Sequence, residues 1–153
     1  MLIDGDRNTV QAGDIDNGLL LGFGIGGATD GVRIGTGSDE NFVSTTGMII
    51  GQSGDGVSID GTGNTVNAGD GVDFTAVPGI GPDIPSAGLG IYGGDDGVSI
   101  GEGGAVNDNT VTTTGYIMGG AGEGVAIIGD DNDVSTGSCP WWTQSFRHYQ
   151  CRC

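Results

Sequence analysis

Asp55-Gly56-Val57-Ser58-Ile59-Asp60-Gly61-Thr62-Gly63-Asn64-Thr65-Val66 is the stretch whose reading decides the fold. Its opening phrase occurs four times: Asp30-Gly31-Val32-Arg33-Ile34, Asp55-Gly56-Val57-Ser58-Ile59, Asp96-Gly97-Val98-Ser99-Ile100 and Glu123-Gly124-Val125-Ala126-Ile127. Each copy leads through a short turn to an Asn-x-Val: Asn41-Phe42-Val43, Asn64-Thr65-Val66, Asn109-Thr110-Val111 and Asn132-Asp133-Val134. A phrase that recurs at intervals of 20 to 50 residues marks a stacked, quasi-one-dimensional architecture.

The first residues belong to the same series. Ile3-Asp4-Gly5-Asp6-Arg7-Asn8-Thr9-Val10 aligns without a gap on Ile59 to Val66, and Met1 stands where Val57 does. A chain that begins in mid-phrase is expected to be a fragment, with its first codon a valine GTG read as a start. A third element follows the Asn-x-Val, clearest in Thr46-Gly47-Met48-Ile49-Ile50-Gly51 and Thr114-Gly115-Tyr116-Ile117-Met118-Gly119.

Val, Ile and Thr fill the repeated slots, the apolar spacing of Val57-x-Ile59 is the strand period of two, and no segment holds a helical period. Three short strands per unit, running the same way in successive units, describe a coil. Stacked coils give parallel sheets with strands roughly 4.8 Å apart. Val57, Ile59, Val98 and Ile100 are the expected structural core, each pointing inward onto its counterparts above and below. The expectation is an all-β, single-stranded parallel β-helix of about five coils with irregular loops. Glycine fills 35 of the 153 positions and is read as turn residues, where positive φ is needed.

Intervals between the repeated isoleucines are 31, 25, 41 and 27 residues. The longest contains Phe74 to Pro85, with three of the four prolines, and reads as a loop thrown out from the stack or a poorly formed extra coil. The 31-residue interval carries Leu19-Leu20-Leu21-Gly22-Phe23-Gly24-Ile25-Gly26, a buried strand pair or an exposed sticky patch. Residues 1–137 form the repeat region. Residues 138–153 do not belong to it: they hold all three Cys, both Trp, the lone His and two of the four Arg. Trp141-Trp142 becomes Gly-Gly in a shifted frame, so this tail reads as a frameshifted or disordered end. A zinc set of Cys139, Cys151, Cys153 and His148 is set aside for the same reason.

Charge restricts the partners. The chain carries four Arg, no Lys and 20 acids, for a net charge of −16. All 20 acids and two Arg precede residue 138, so that part stands at −18 and the tail at +2. Such a body repels nucleic acid and anionic lipid and attracts cations and cationic surfaces. No apolar leader or membrane-spanning run is visible.

The phrase Gly56 to Val66, with the element Thr46-Gly47-Met48-Ile49, resembles the repeats of bacterial autotransporter passengers and of right-handed parallel β-helices more broadly, over residues 1–137. The resemblance implies an exported, surface-displayed or shed stalk at the bacterial outer membrane with an adhesive role. It also implies an extracellular location, with host-surface or carbohydrate ligands. The translocator barrel of that family is not part of the match.

Among candidate sites, Asp30, Asp55, Asp96 and Glu123 occupy one register position. Stacked in line, they form an acidic ladder of carboxylates about 5 Å apart, which splay into solvent or take up Ca²⁺ between them. Solvated acidic turns are the blander and favoured reading. Asp4-Gly5-Asp6-Arg7-Asn8 and Asp130-Asp131-Asn132-Asp133 miss the calcium-loop pattern, since Thr9 stands at the glycine position of the first and no Glu follows at the twelfth place of either. Asn8, Asn41, Asn64, Asn109 and Asn132 recur at another position and are read as structural: Asn tolerates left-handed backbone, and stacked amides can form a ladder. Gly22-Phe23-Gly24-Ile25-Gly26-Gly27 lacks the Lys and following helix of a phosphate loop. With no Lys and only Arg7 and Arg33 in the body, catalysis is not expected, a carbohydrate-active fragment being the remote alternative. No cofactor other than Ca²⁺ is expected, and open strand edges at the two ends invite end-to-end self-association.

Overall fold

The structure, a computed structural model, describes residues 1–13, 22–70 and 88–137. These residues form fourteen strands and no helix. In chain order they are β1 Leu2–Ile3, β2 Thr9–Ala12, β3 Phe23–Gly27, β4 Val32–Ile34, β5 Phe42–Thr45, β6 Met48–Gly51 and β7 Val57–Ile59. Then follow β8 Thr65–Ala68, β9 Leu89–Gly93, β10 Val98–Ile100, β11 Thr110–Thr113, β12 Tyr116–Gly119, β13 Val125–Ile127 and β14 Asp133–Thr136.

Every third strand returns to the same sheet. Sheet A has the order β1-β4-β7-β10-β13, sheet B the order β2-β5-β8-β11-β14 and sheet C the order β3-β6-β9-β12. All pairings are parallel. Equivalent residues of successive units are therefore direct neighbours. In sheet A, Ile3, Ile34, Ile59, Ile100 and Ile127 stand in one row. Val10, Val43, Val66, Val111 and Val134 do so in sheet B. In sheet C the row is Ile25, Ile49, Ile91 and Ile117.

These rows are the core. Val57, Ile59 and Val98 are fully buried and Ile100 nearly so, whereas their counterparts Val125 and Ile127 in the last described unit are only half-buried. Burial of each central side chain contributes about 1.5–3 kcal/mol. It depends on a neighbour on both sides, so the apolar rows stabilise one another only as a stack.

The unequal intervals are resolved at one corner. Residues 14–21 and 71–87, outside the described part, lie between β2 and β3 and between β8 and β9. The extra length of the 31- and 41-residue intervals thus falls at the sheet B to sheet C connection in both. The proline-rich stretch 74–85 and Leu19 to Leu21 lie there, and the tail 138–153 is likewise outside the described residues. β9 pairs directly with β6 and with β12, so no described strand is interposed there. Both of these units enter sheet C through a register shift that sets aside one glycine, Gly24 or Gly90. A Cβ on Gly24 would fall on the Thr45 hydroxyl, and one on Gly90 on that of Thr113. Of the apolar stretch, Ile25 is buried and Phe23 is 38% exposed.

The phrase glycines serve a purpose other than the expected one. Gly31, Gly56 and Gly97 do not have positive φ. They are glycine because the next layer leaves no room. A Cβ on Gly56 would lie 2.5 Å from Ile91 Cγ2 and 2.6 Å from the carbonyl oxygen of Gly97. One on Gly97 would lie 2.6 Å from Ile117 Cγ2 and 2.5 Å from the carbonyl oxygen of Gly124. At Gly124 the nearest atom is 3.8 Å away. Gly97→Ala should therefore cost about 2–3 kcal/mol through overpacking, while Gly124→Ala stays within about 0.5 kcal/mol. Chemical denaturation of the two variants checks this contrast, and equal losses would contradict it.

Candidate functional site

The turns between sheets A and B carry an uninterrupted amide ladder. The backbone N–H and the Nδ2 of Asn8 both donate to Asn41 Oδ1, at 2.8 and 3.1 Å. Asn41 donates the same pair to Asn64 Oδ1, at 2.9 and 3.0 Å. Asn64 repeats it on Asn109 Oδ1, at 2.9 and 3.2 Å, and Asn109 on Asn132 Oδ1, at 3.1 and 3.0 Å. Asn132 ends the series by donating Nδ2 to the Val106 carbonyl at 2.8 Å. The Oδ1 of Asn41, Asn64, Asn109 and Asn132 each faces the preceding unit, so the amide dipoles add, and each bond polarises the next. Asn41, Asn64 and Asn109 are buried, which removes water as a competing partner.

The left-handed residue of this turn is not the asparagine but the one before it. Arg7, Glu40, Gly63, Asp108 and Asp131 have φ between 55° and 68°. Only one of the five is glycine. The kink tips the following Asn so that its N–H and its amide aim along the stack. The ladder bonds offset the roughly 1–2 kcal/mol that such backbone costs a residue with a Cβ.

Asp30, Asp55, Asp96 and Glu123 are brought into a column, and the column is bonded rather than splayed. Asp30 Oδ1 accepts the Asp55 N–H at 3.1 Å, Asp55 Oδ1 accepts the Asp96 N–H at 3.2 Å, and Asp96 Oδ1 accepts the Glu123 N–H. Here the acceptor belongs to the earlier unit, so this ladder runs opposite to the asparagine ladder. The backbone N–H accepted by Asp30, Asp55 and Asp96 places a donor between successive carboxylates of the column.

A further column escaped the sequence reading. Asp6 Oδ1 accepts the Asp39 N–H at 2.9 Å, Asp39 Oδ1 the Thr62 N–H at 2.8 Å, and Asn107 Oδ1 the Asp130 N–H at 2.8 Å. All these positions lie two residues before a ladder asparagine, so alignment of the units on Asn would have displayed the column.

Asp55 is the electrostatic anomaly. It is 7% exposed, and its carboxyl is pushed up to about 6. Burial is the largest cause, opposed by the bond from the Asp96 N–H and reinforced by the charges of Asp96, Glu102 and Asp30. Of the two body arginines, Arg7 donates Nε to Glu40 at 2.7 Å in solvent, and that carboxylate raises its pKa. Arg33 reaches Asp30 Oδ2 at 3.3 Å and Asp60 Oδ2 at 3.9 Å.

No three described His, Cys, Asp or Glu side chains converge as a metal-holding group. A hollow of about 420 Å³ opens on sheet C, lined by Phe23, Gly26, Gly27, Ala28, Ile50 and Gln52, without a titratable group. Compared with known protein families, curated proteins and solved structures, the chain matches none.

Two outcomes test the ladders. Asn64→Ala strips Asn41 of the acceptor for two buried donors and should cost about 3 kcal/mol. Asn8→Ala, at the exposed end, should cost under about 1 kcal/mol by the same denaturation measurement. For Asp55, the folded pKa lies above the ordinary value near 3.9, so the folded state holds the proton more tightly. Its contribution is complete below about pH 4 and is lost as pH rises through about 6. The stability difference between the wild type and Asp55→Asn, whose Oδ1 can still accept the Asp96 N–H, should change by on the order of 2–3 kcal/mol between pH 4 and 7, in favour of the variant at pH 7. A difference that does not move with pH would contradict the assignment.

Proposed function

We propose that the chain is a structural segment, a short rod built as a single-stranded parallel β-helix of about five coils. In this reading it spaces or displays what is joined to it, as part of an exported, adhesive stalk of the kind its repeats resemble. The observation that carries the proposal is the continuity of the asparagine ladder, one amide per unit from Asn8 to Asn132. A ladder of that kind gives stiffness along one axis. It makes each unit equivalent to its neighbours, which is what a spacer needs and an enzyme does not.

Support comes also from where the polar groups are placed. Asn41, Asn64 and Asn109 are buried, yet their amides are committed to neighbouring units, leaving the interior apolar and the turns polar. The formal charge of −18 in the repeat region, most of it in the turns, keeps such a rod soluble.

A spacer made of interchangeable units tolerates an added one. Duplicating residues 32–56 in tandem, one 25-residue interval, should give a folded chain of equal or greater thermal stability, longer by about 4.8 Å. Circular dichroism and small-angle scattering report both. A duplicated chain that loses its β signal, or folds without lengthening, would defeat the rod reading.

A further inference from the structure

The two end layers of the stack present complementary halves of the same bonds. In sheet B the N–H of Phe42, Thr65, Thr110 and Asp133 each donates to the carbonyl of the ladder asparagine one unit earlier, at 2.8–2.9 Å. Thr9 holds that position in the first layer, so its N–H points out of the stack. In sheet A the N–H groups of Gly35, Asp60, Gly101 and Ile128 donate in the same direction, to Ile3, Ile34, Ile59 and Ile100. That of Asp4, their counterpart, is therefore outward too. Asn8 Oδ1 faces the same way, since its N–H and Nδ2 are turned to Asn41. The last layer offers what these groups need: the carbonyls of Ile127 and Asn132, and the Asn132 N–H, which its four counterparts aim at the following unit. One Nδ2 hydrogen of Asn132 is held by the Val106 carbonyl, and the second remains for the next layer. The apolar rows are incomplete at the same places. Met1, Val10 and Ala12 at one end and Val125 and Ile127 at the other are half-buried, while Val57, Ile59, Val66 and Val98 between them are fully buried.

Two observations name a second copy of this chain as the occupant and fix its direction. Register is the first. Ile3 and Ile127 stand in one row and Val10 and Val134 in another, so a first layer set on a last layer continues both rows and the asparagine ladder together. Charge is the second. Residues 1–13 carry two acids, Asp4 and Asp6, against Arg7 and the terminal ammonium. Residues 123–137 carry Glu123, Asp130, Asp131 and Asp133 and no base. Two last layers in contact would set four acids against four, whereas a first layer adds no net charge to the junction.

We propose that copies of this chain stack head to tail, first layer on last, so that sheets A and B and the asparagine ladder run across the junction. The Asn132 N–H and Nδ2 donate to Asn8 Oδ1 of the next copy, whose Asp4 and Thr9 N–H groups donate to the Ile127 and Asn132 carbonyls. The contact is heterologous and does not close on itself, so it builds an unbranched series. Each added copy lengthens the particle by five strand spacings, about 24 Å, without widening it. Sheet C has one strand fewer than sheets A and B among the described residues, so two sheets carry the junction. The inference rests on the rod reading above. A chain that lengthens on unit duplication while its copies stay apart would sink this inference alone.

Sedimentation velocity is run on the full chain, with a thiol reductant present so that its cysteines cannot link copies. A series of species is expected that grows with protein concentration and with salt, since screening relieves the repulsion between acidic bodies. Small-angle scattering should show length increasing at constant cross-section. Thr9→Pro deletes a first-layer N–H that no described residue accepts, at the first residue of an edge strand, where proline is tolerated. Asn132→Asp keeps the Oδ1 that Asn109 uses and replaces the outward donor with an acceptor. Each should weaken self-association about tenfold or more. Ser135→Asp, which adds the same charge to the outer face of β14, should leave it within about threefold. Circular dichroism reports whether each variant keeps its strands, and either end alone suffices for the comparison. Mixing Thr9→Pro, whose last layer is intact, with Asn132→Asp, whose first layer is intact, should give a dimer that grows no further. A single species at every concentration, a widening cross-section, equal effects of Asn132→Asp and Ser135→Asp, or a mixture of folded variants without the dimer would overturn the proposal.

Discussion

Parallel stacking at one strand spacing imposes a single demand on every position: whatever a residue offers to the layer above, its counterpart must accept from the layer below. Apolar side chains meet it trivially, and the Ile and Val rows fill the interior. Polar side chains meet it only if they are donor on one side and acceptor on the other. A primary amide is the neutral group that does so, and asparagine occupies that place in all five units. Glycine meets the demand by having nothing to offer, which is why the carbonyl of Gly97 can lie so close over Gly56.

Carboxylates are the hard case, since an ionised acid only accepts. The chain solves this by pairing Asp30, Asp55 and Asp96 each with a backbone N–H of the next unit. The like charges are then separated by a donor, and the column holds together despite their repulsion. The compensation is weakest at Asp55, which is the most buried of the four and has acids on both neighbouring layers. Stability and charge are thus coupled at one residue in the middle of the stack.

Much of this was legible in the sequence, for a physical reason. A register that repeats in space must repeat in the chain, so Val57 with Val98, or Asn64 with Asn109, declare their contact by their alignment. The acid at the head of each phrase was visible as a column in the same way, but its partner was not. A backbone N–H has no letter, and the carboxylates suggested one another or a cation instead. The phrase glycines suggested turn geometry, because a missing Cβ looks the same whether φ or a neighbouring layer requires it. The left-handed positions Arg7, Glu40, Asp108 and Asp131 carry no common residue type at all. Their conformation is imposed by the ladder that follows them, not by their own preference.

The corner between sheets B and C carries a different implication. Described chain stops at Gly13 and resumes at Gly22, stops again at Asp70 and resumes at Gly88, while the intervening unit turns there tightly through Thr46 and Gly47. Every ladder lies elsewhere on the cross-section. Chain length at this corner can change without altering the pitch of anything else, so it is the natural grafting point of the molecule. The two sites recur on alternate layers, about 10 Å apart. Two foreign peptides inserted there would emerge side by side from one edge, each anchored by its own pair of strands.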